Sequence, residues 1–189
     1  MITVLDIEQA QADLLAGALR CPDCSAVLRP WSWASARPIR QLDGSYRRVR
    51  PRRARCSVCQ TTQVLLPAGC LPRRADAAEV IGAALVAKAR GQGHRTIAAE
   101  LHRPVSTVRR WLRAARGAHV EWLRRVGVAR TFELDQDLLA SLSPQATALG
   151  DALCALAAAI LAWRRRFAGD AAVWTLIGAF TAGRLLTPP

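Results

Sequence analysis

A chain of 189 residues has room for one ordinary domain or two to three small ones, and its formal net charge of +13 favours a polyanionic partner. Long-range attraction and counterion release favour nucleic acid or an anionic membrane surface. Of its 27 basic residues only Lys88 is a lysine, and an Ala- and Arg-rich composition is enough to explain that, so arginine by itself is no sign of bidentate contacts.

The first residues, MITVLDIEQAQADLLAGALR, carry no basic leader ahead of an apolar run, so no secretory signal is expected and the setting is a reducing cytoplasm. Val4, Leu5, Ile7, Leu14, Leu15 and Leu19 recur within residues 3–19, and Asp6 can cap a short helix running to about Leu19. This is either a lead-in helix packed on the next module or a mobile arm.

Cysteines define that next module. Cys21-Pro-Asp-Cys24 is followed after 31 residues by Cys56-Ser-Val-Cys59. Two such knuckles place four thiolates where one tetrahedral zinc ion takes them all, with no open position, which means structure and not catalysis. A redox pair would need a strand-helix pattern around one Cys-x-x-Cys, and disulfides do not suit the compartment. The metal would supply the folding energy of so short and polar a segment. Cys70 and Cys154 lie outside the knuckles and read as buried small side chains.

Between the knuckles the pattern is extended. Val27 to Ser32 leads to Trp31 and Trp33, Asp43-Gly44 marks a turn, Ser45 to Cys56 returns as one Arg-rich strand, and Thr61 to Leu66 is a third run. Pro51 confines the returning strand to an edge or a bulge. Arg47, Arg48, Arg50, Arg52, Arg53 and Arg55 repel one another, and the charge of about −2 on zinc with four thiolates offsets only part of this. Phosphate complements the remainder, although a solvated run that blunts a strand edge is the plainer reading. Trp31 and Trp33 read as ribbon core or as a packing surface against the helices, with base stacking as the other use.

Leu65-Leu66-Pro67 and Leu71-Pro72-Arg73-Arg74 form a stiff, apolar linker. Asp76 can then cap a helix over about Ala77 to Ala89, ended by Gly91 and Gly93. Ile97, Ala98 and Leu101 recur at helical spacing, and so do Val108, Trp111, Leu112 and Ala115, with HRPVS between the two runs. Arg103, ahead of a proline, is pushed out of the helical region, and Pro104 suits the first turn of the next helix. A three-helix unit with a core of Val80, Ile81, Ala84, Leu85, Ile97, Leu101, Val108, Trp111 and Leu112 follows. Its last helix would present Ser106, Thr107, Arg109, Arg110 and Arg113 outward, donors suited to guanine edges or phosphate. His94 and His102 have no matching ligand set and read as surface or capping residues.

These segments together, CPDC, PRRARCSVC, VLLPAGCLPRRADAAEVIGAAL and GHRTIAAELHRPVSTVRRWLRAA, resemble a family of actinobacterial zinc-ribbon plus helix-turn-helix proteins. That family is similar to the N-terminal DNA-binding parts of insertion-sequence transposases. The resemblance covers about residues 21–125. It implies a zinc-dependent DNA-binding protein of mobile-element origin, with Cys21, Cys24, Cys56 and Cys59 as ligands and Ser106, Thr107, Arg109, Arg110 and Arg113 as contacting residues. A transposase would also need three carboxylates on a further domain of more than ~100 residues. Only about sixty residues remain here, and no strand pattern carries their acids Glu133, Asp135, Asp137, Asp151 and Asp170. The first three fit the start of a helix. No catalytic activity is expected.

In the tail, Leu149, Leu153, Leu156, Ile160 and Trp163 form a helical seam, and after a break at Gly169, Val173, Leu176, Ile177 and Phe180 form a second apolar face ahead of Pro188 and Pro189. Ala146 to Trp163 contains Asp151, is rich in Ala and precedes three arginines, so it falls short of the ~20 apolar residues of a membrane span. The better reading is a helical hairpin that folds back on the DNA-binding unit or pairs with a second subunit.

The expected architecture is therefore α+β and mainly α, with a lead-in helix at 1–20, a zinc ribbon at 21–72, a helix-turn-helix domain at 76–125 and a packing or dimerising helical hairpin at 131–189. The expected function is that of a cytoplasmic, nucleoid-associated regulator or targeting subunit. Its partners would be double-stranded DNA, contacted also by Arg48, Arg50, Arg52 and Arg53, a second copy of the chain, and a transposase or recombinase. The competing reading is a zinc-ribbon adaptor for RNA or an acidic protein.

Overall fold

The computed structural model describes residues 1–187; Pro188 and Pro189, the end of the expected C-terminal segment, lie outside them. The chain is α+β and mainly helical. It opens on a strand that hydrophobic periodicity did not announce: β1 (Ile2–Val4) lies parallel to β6 (Thr62–Pro67), with Ile2 opposite Leu65. Asp6 then caps α1 (Ile7–Leu15) as its position suggests, its carboxylate accepting from the Glu8 and Gln9 amides at 2.8 and 3.0 Å. The helix stops short of Leu19, because Gly17 turns left-handed (φ +73°) and the Leu19 carbonyl accepts from the Leu28 amide instead.

A four-stranded sheet runs in the order β1, β6, β5 (Arg52–Cys56), β2 (Leu28–Trp33). The returning strand expected over 45–56 is broken in two. Pro51 cannot donate to a ladder. Before it, β4 (Tyr46–Val49) pairs with β3 (Arg37–Arg40) as a separate hairpin; after it, β5 joins β2. The hairpin closes through the expected Asp43-Gly44 turn, with the Ser45 amide on the Asp43 carboxylate and Gly44 at φ +85°.

The next three helices are α2 (Ala78–Ala89), α3 (His94–Glu100) and α4 (Val105–Ala114). Of the nine expected core residues all are buried except the half-buried Leu101. Pro104 stands one position earlier than expected, as the residue that caps α4, and His102 (φ +50°) makes the turn. Asp76 does not cap α2, whose N-cap is Ala77. It is buried and paired instead: Arg103 Nη2 donates to its Oδ2 at 3.0 Å and Arg103 Nε lies 3.0 Å from Oδ1. An ion pair across 27 residues thus ties the start of α2 to the turn before α4.

The tail differs from expectation in a way that matters. A long helix, α5 (Ala118–Leu134), follows α4 directly, so Glu133 ends a helix where the sequence suggested a start. Asp135 and Asp137 do open a 3-10 segment, Gln136–Ser141, and Asp135 also accepts from Arg165 at 3.0 Å. Among the described residues no tight hairpin forms there: α5 lies parallel to α6 (Ala148–Arg166), Gly127 beside Ala155 and Asp135 beside Arg165, packed so closely that a Cβ on Gly127 would come 2.5 Å from the Ala155 carbonyl carbon. Glycine at 127 and the alanine face of Ala152, Ala155 and Ala159 permit that approach. The last helix, α7 (Val173–Phe180), turns away from α6 to lie on α2, with Trp174 over Gly82. The tail therefore folds back within the chain.

Breaking the buried pair should be costly. Asp76→Ala is expected to lower stability by about 2–3 kcal/mol, less than the ~3–5 of a fully buried pair because Arg103 keeps some contact with water. In chemical denaturation the Asp76→Ala/Arg103→Ala double variant should lose less than the two single losses added together.

Candidate metal centre and nucleic-acid face

Both knuckles are built the same way. In each, the residue after the second cysteine is left-handed, Ser25 and Gln60 both at φ +61°, which folds the chain back on itself. The Cys21 amide donates to the Ala26 carbonyl and the Cys56 amide to the Thr61 carbonyl, at 2.8 and 3.0 Å. Two left-handed residues without glycine cost on the order of 1–3 kcal/mol each, which the surrounding contacts must offset. The sheet brings the knuckles together by pairing Leu28 with Cys56, and the Ser57 amide donates to the Val27 carbonyl at 3.1 Å.

The result is a cluster of four sulfurs, Cys21, Cys24, Cys56 and Cys59, all within 4.8 Å of one another. Sγ of Cys21 and Cys59 are 3.7 Å apart, and those of Cys24 and Cys56 are 3.4 Å apart. A tetrahedral ion with metal–sulfur bonds of about 2.3 Å sets its ligands roughly 3.8 Å apart, so the four sulfurs are close enough to share one metal ion. Val58 donates its amide to Cys56 Sγ at 3.4 Å, a bond that favours a thiolate there.

The thiols are unequal. The Thr61 hydroxyl, 3.4 Å from Cys59 Sγ, and the Thr61 amide lower the Cys59 pKa to about 6. At Cys24 the Ala26 amide also favours the thiolate, yet the neighbouring thiols and burial outweigh it and raise the pKa to about 11. Burial pushes Cys21 up as well. Four thiolates crowded together need a cation. Cys70 is buried apart from them, 3.8 Å from Arg47 Nη2, with its thiol pushed up by burial, and Cys154 is half-buried on α6.

Sequence patterning missed the polar residues that brace the centre. Gln63 is buried inside β6 and donates to Asp23 Oδ2, in the first knuckle, at 3.0 Å. A polar residue within an otherwise apolar strand is the signal that would have found it.

The second feature is charge. From Ser25 to Ala75 there are eleven arginines and one carboxylate, Asp43. On α4, Val108, Trp111 and Leu112 are buried while Ser106, Arg109, Arg110 and Arg113 are exposed and Thr107 is half-buried. Among the described residues the ion pairs hold Arg103, Arg124, Arg130 and Arg165, so none involves an arginine of α4, β4 or β5. Burial and the nearby charge of Arg110 together lower the pKa of Arg74, so the loop before α2 and the outer face of α4 converge as like charges. On the ribbon, Arg48 and Arg53 are exposed, while Arg50 and Arg52 lie over the Trp33 ring at 5.8 and 4.7 Å. Trp31 and Trp33, read from the sequence as core or packing residues, are instead solvent-facing. No helix among the described residues is long and apolar enough to cross a membrane.

The protein should bind one equivalent of Zn(II), measured by native mass spectrometry. Cys56→Ser should abolish that and unfold the sheet, while Cys154→Ser does neither. Because Cys21 and Cys24 keep their protons past neutrality and must lose them to bind metal, the bound form carries fewer protons than the free form. Affinity measured against a competing chelator should therefore be weaker at pH 6 than at pH 8; a pH-independent affinity would contradict ligation by these thiols.

A family described as a domain of unknown function (DUF6431) is matched by residues 21–111, from the first knuckle cysteine through Trp111 of α4. No curated protein and no solved structure matches the chain.

Proposed function

We propose that this chain is a zinc-dependent DNA-binding protein in which α4 is the recognition helix and the four cysteines hold a structural zinc ion. The observation that carries the reading is the division of α4: its apolar side is fully committed to the core, and its other side offers Arg109, Arg110 and Arg113 with no carboxylate partner among the described residues. An exposed guanidinium on a helix gains from an acid at i,i+3 or i,i+4, as Arg124 does from Glu121 and Arg130 from Glu133 on α5, and α4 has no acid at any position. Those of α4 are left for a polyanion. Ser106 and Thr107, in its first turn, supply short donors for the phosphate backbone. Arg48, Arg50, Arg52 and Arg53 of the ribbon extend the basic surface and add affinity without reading sequence.

Zinc is favoured as the metal because four thiolates in a closed tetrahedral set suit an ion that needs no open position. The resemblance to transposase N-terminal regions supports a role among mobile-element products, as a regulator or as the targeting subunit of a transposase or recombinase. A second copy would let two α4 helices read a repeated half-site.

Arginine substitutions read against salt test this. Arg110→Ala should lower the preference for a selected duplex by about 1–3 kcal/mol and change binding to unrelated duplex little. Arg48→Ala should weaken all duplexes alike and reduce the slope of log affinity against log salt by about 0.9. Equal losses on every sequence for Arg109→Ala, Arg110→Ala and Arg113→Ala would refute α4 as the reading helix.

A further inference from the structure

The free edge of β2 has features that duplex binding does not use: Trp31 stands there on the face of Arg53 and Arg55, and Trp33, opposite Arg52, on the other face. Trp31 is 57% and Trp33 41% exposed, and neither belongs to a hydrophobic cluster. The register of β2 against β5 slips between Pro30 and Ser32, a bulge that gives Trp31 no partner on β5. Arg55 lies 4.7 Å over the Trp31 ring, and Arg52 and Arg50 lie over Trp33. Trp33, Arg48 and Arg50 also line an open groove whose remaining walls are Ala34, Ser35 and Ala36, small enough to admit a flat ring.

We propose that this tryptophan-arginine edge binds single-stranded DNA passing round it, with unpaired bases stacking on the indoles and on the arginine planes while the guanidinium edges hold phosphate. In a duplex the base faces are covered by their neighbours and only edges are offered, so two exposed indoles gain little from it. An unpaired base offers its face, and aromatic side chains within a basic groove are how such strands are held. The charge excludes a basic or neutral partner, Asp43 being the one carboxylate in the segment and lying in the hairpin turn, whereas Arg48 and Arg50 lie toward the opposite end. The choice of DNA over RNA rests on the reading of α4. The β3–β4 hairpin spans the two surfaces, since Arg40 donates to the Leu101 carbonyl near the α3–α4 turn at 3.0 Å.

The test uses the zinc-loaded full chain and an oligothymidine of about 20 nucleotides, with binding followed by anisotropy and by tryptophan quenching. Trp31→Ala and Trp33→Ala should each weaken that complex about tenfold, and Trp33→Phe, which keeps a ring to stack, should retain most of the affinity. Zinc content and binding to duplex should change little in all three. The Arg109→Ala/Arg110→Ala/Arg113→Ala variant should lose duplex and keep oligothymidine; if it keeps both, the α4 reading fails while the oligothymidine result still decides this one. Equal loss of duplex and oligothymidine in the tryptophan variants, no loss in either, tighter binding of oligouridine than oligothymidine, or equal binding of polyglutamate would each overturn the proposal.

Discussion

Four sulfur atoms converge at the end of a small sheet that has little else to hold it. The apolar cluster of the N-terminal part comprises Val4, Ala10, Leu14, Leu28, Ala54 and Leu65 with Cys21 and Cys56 themselves, so two of its members are also candidate ligands. A core of that size cannot offset the repulsion among the arginines of β4 and β5 and the strain of two left-handed knuckle residues. The thiolate cluster addresses both. It fixes the knuckles, and with a divalent ion it carries a net charge of about −2 at one end of an otherwise cationic sheet.

The ribbon is in turn welded to the helices. The main core runs without interruption from Ile39 and Val49 of the β3–β4 hairpin, through Leu66, Cys70 and Leu71, to α2, α3, α4, α6 and α7. At its edge the Arg40 amide donates to the Ala75 carbonyl and the Ala77 amide to the Arg40 carbonyl, beside the Asp76–Arg103 pair. The start of α2 is thus fixed to the hairpin by backbone bonds, and the turn between α3 and α4 is tied to both through the Arg40 and Arg103 side chains. At the far side, His119 Nε2 donates to the Leu185 carbonyl at 3.0 Å and joins α5 to the end of the described chain. Such bracing gives α4 a defined position relative to the basic strands, which a bipartite grip on one polyanion requires.

What could be read from the sequence was set by local chemistry. The Cys-x-x-Cys spacings, the Asp6 cap, the Asp43-Gly44 turn and the Ile97 to Leu112 periodicity each act within a few residues, and each appears as patterned. What escaped depended on partners distant in the chain. β1 is three residues long and exists because β6 offers it an edge. Asp76 looks like a cap, but Arg103 outcompetes the amides of α2 for its carboxylate. α5 lacks a clean apolar stripe because it is flanked by α6 on one side and carries arginines on the other, so its pattern fades into the flanking segments. Trp31 and Trp33 follow the general rule that large aromatics go inside, and they depart from it where β2 presents them among arginines.

The central claim is that a metal-organised scaffold presents α4 to read a DNA sequence. It is met most directly by mixing the zinc-loaded protein with a pool of genomic duplex fragments at moderate salt and sequencing those retained. Enrichment of one motif, lost when Arg109, Arg110 and Arg113 are replaced by Ala, is the predicted result. Retention of duplex with no motif enriched would contradict it.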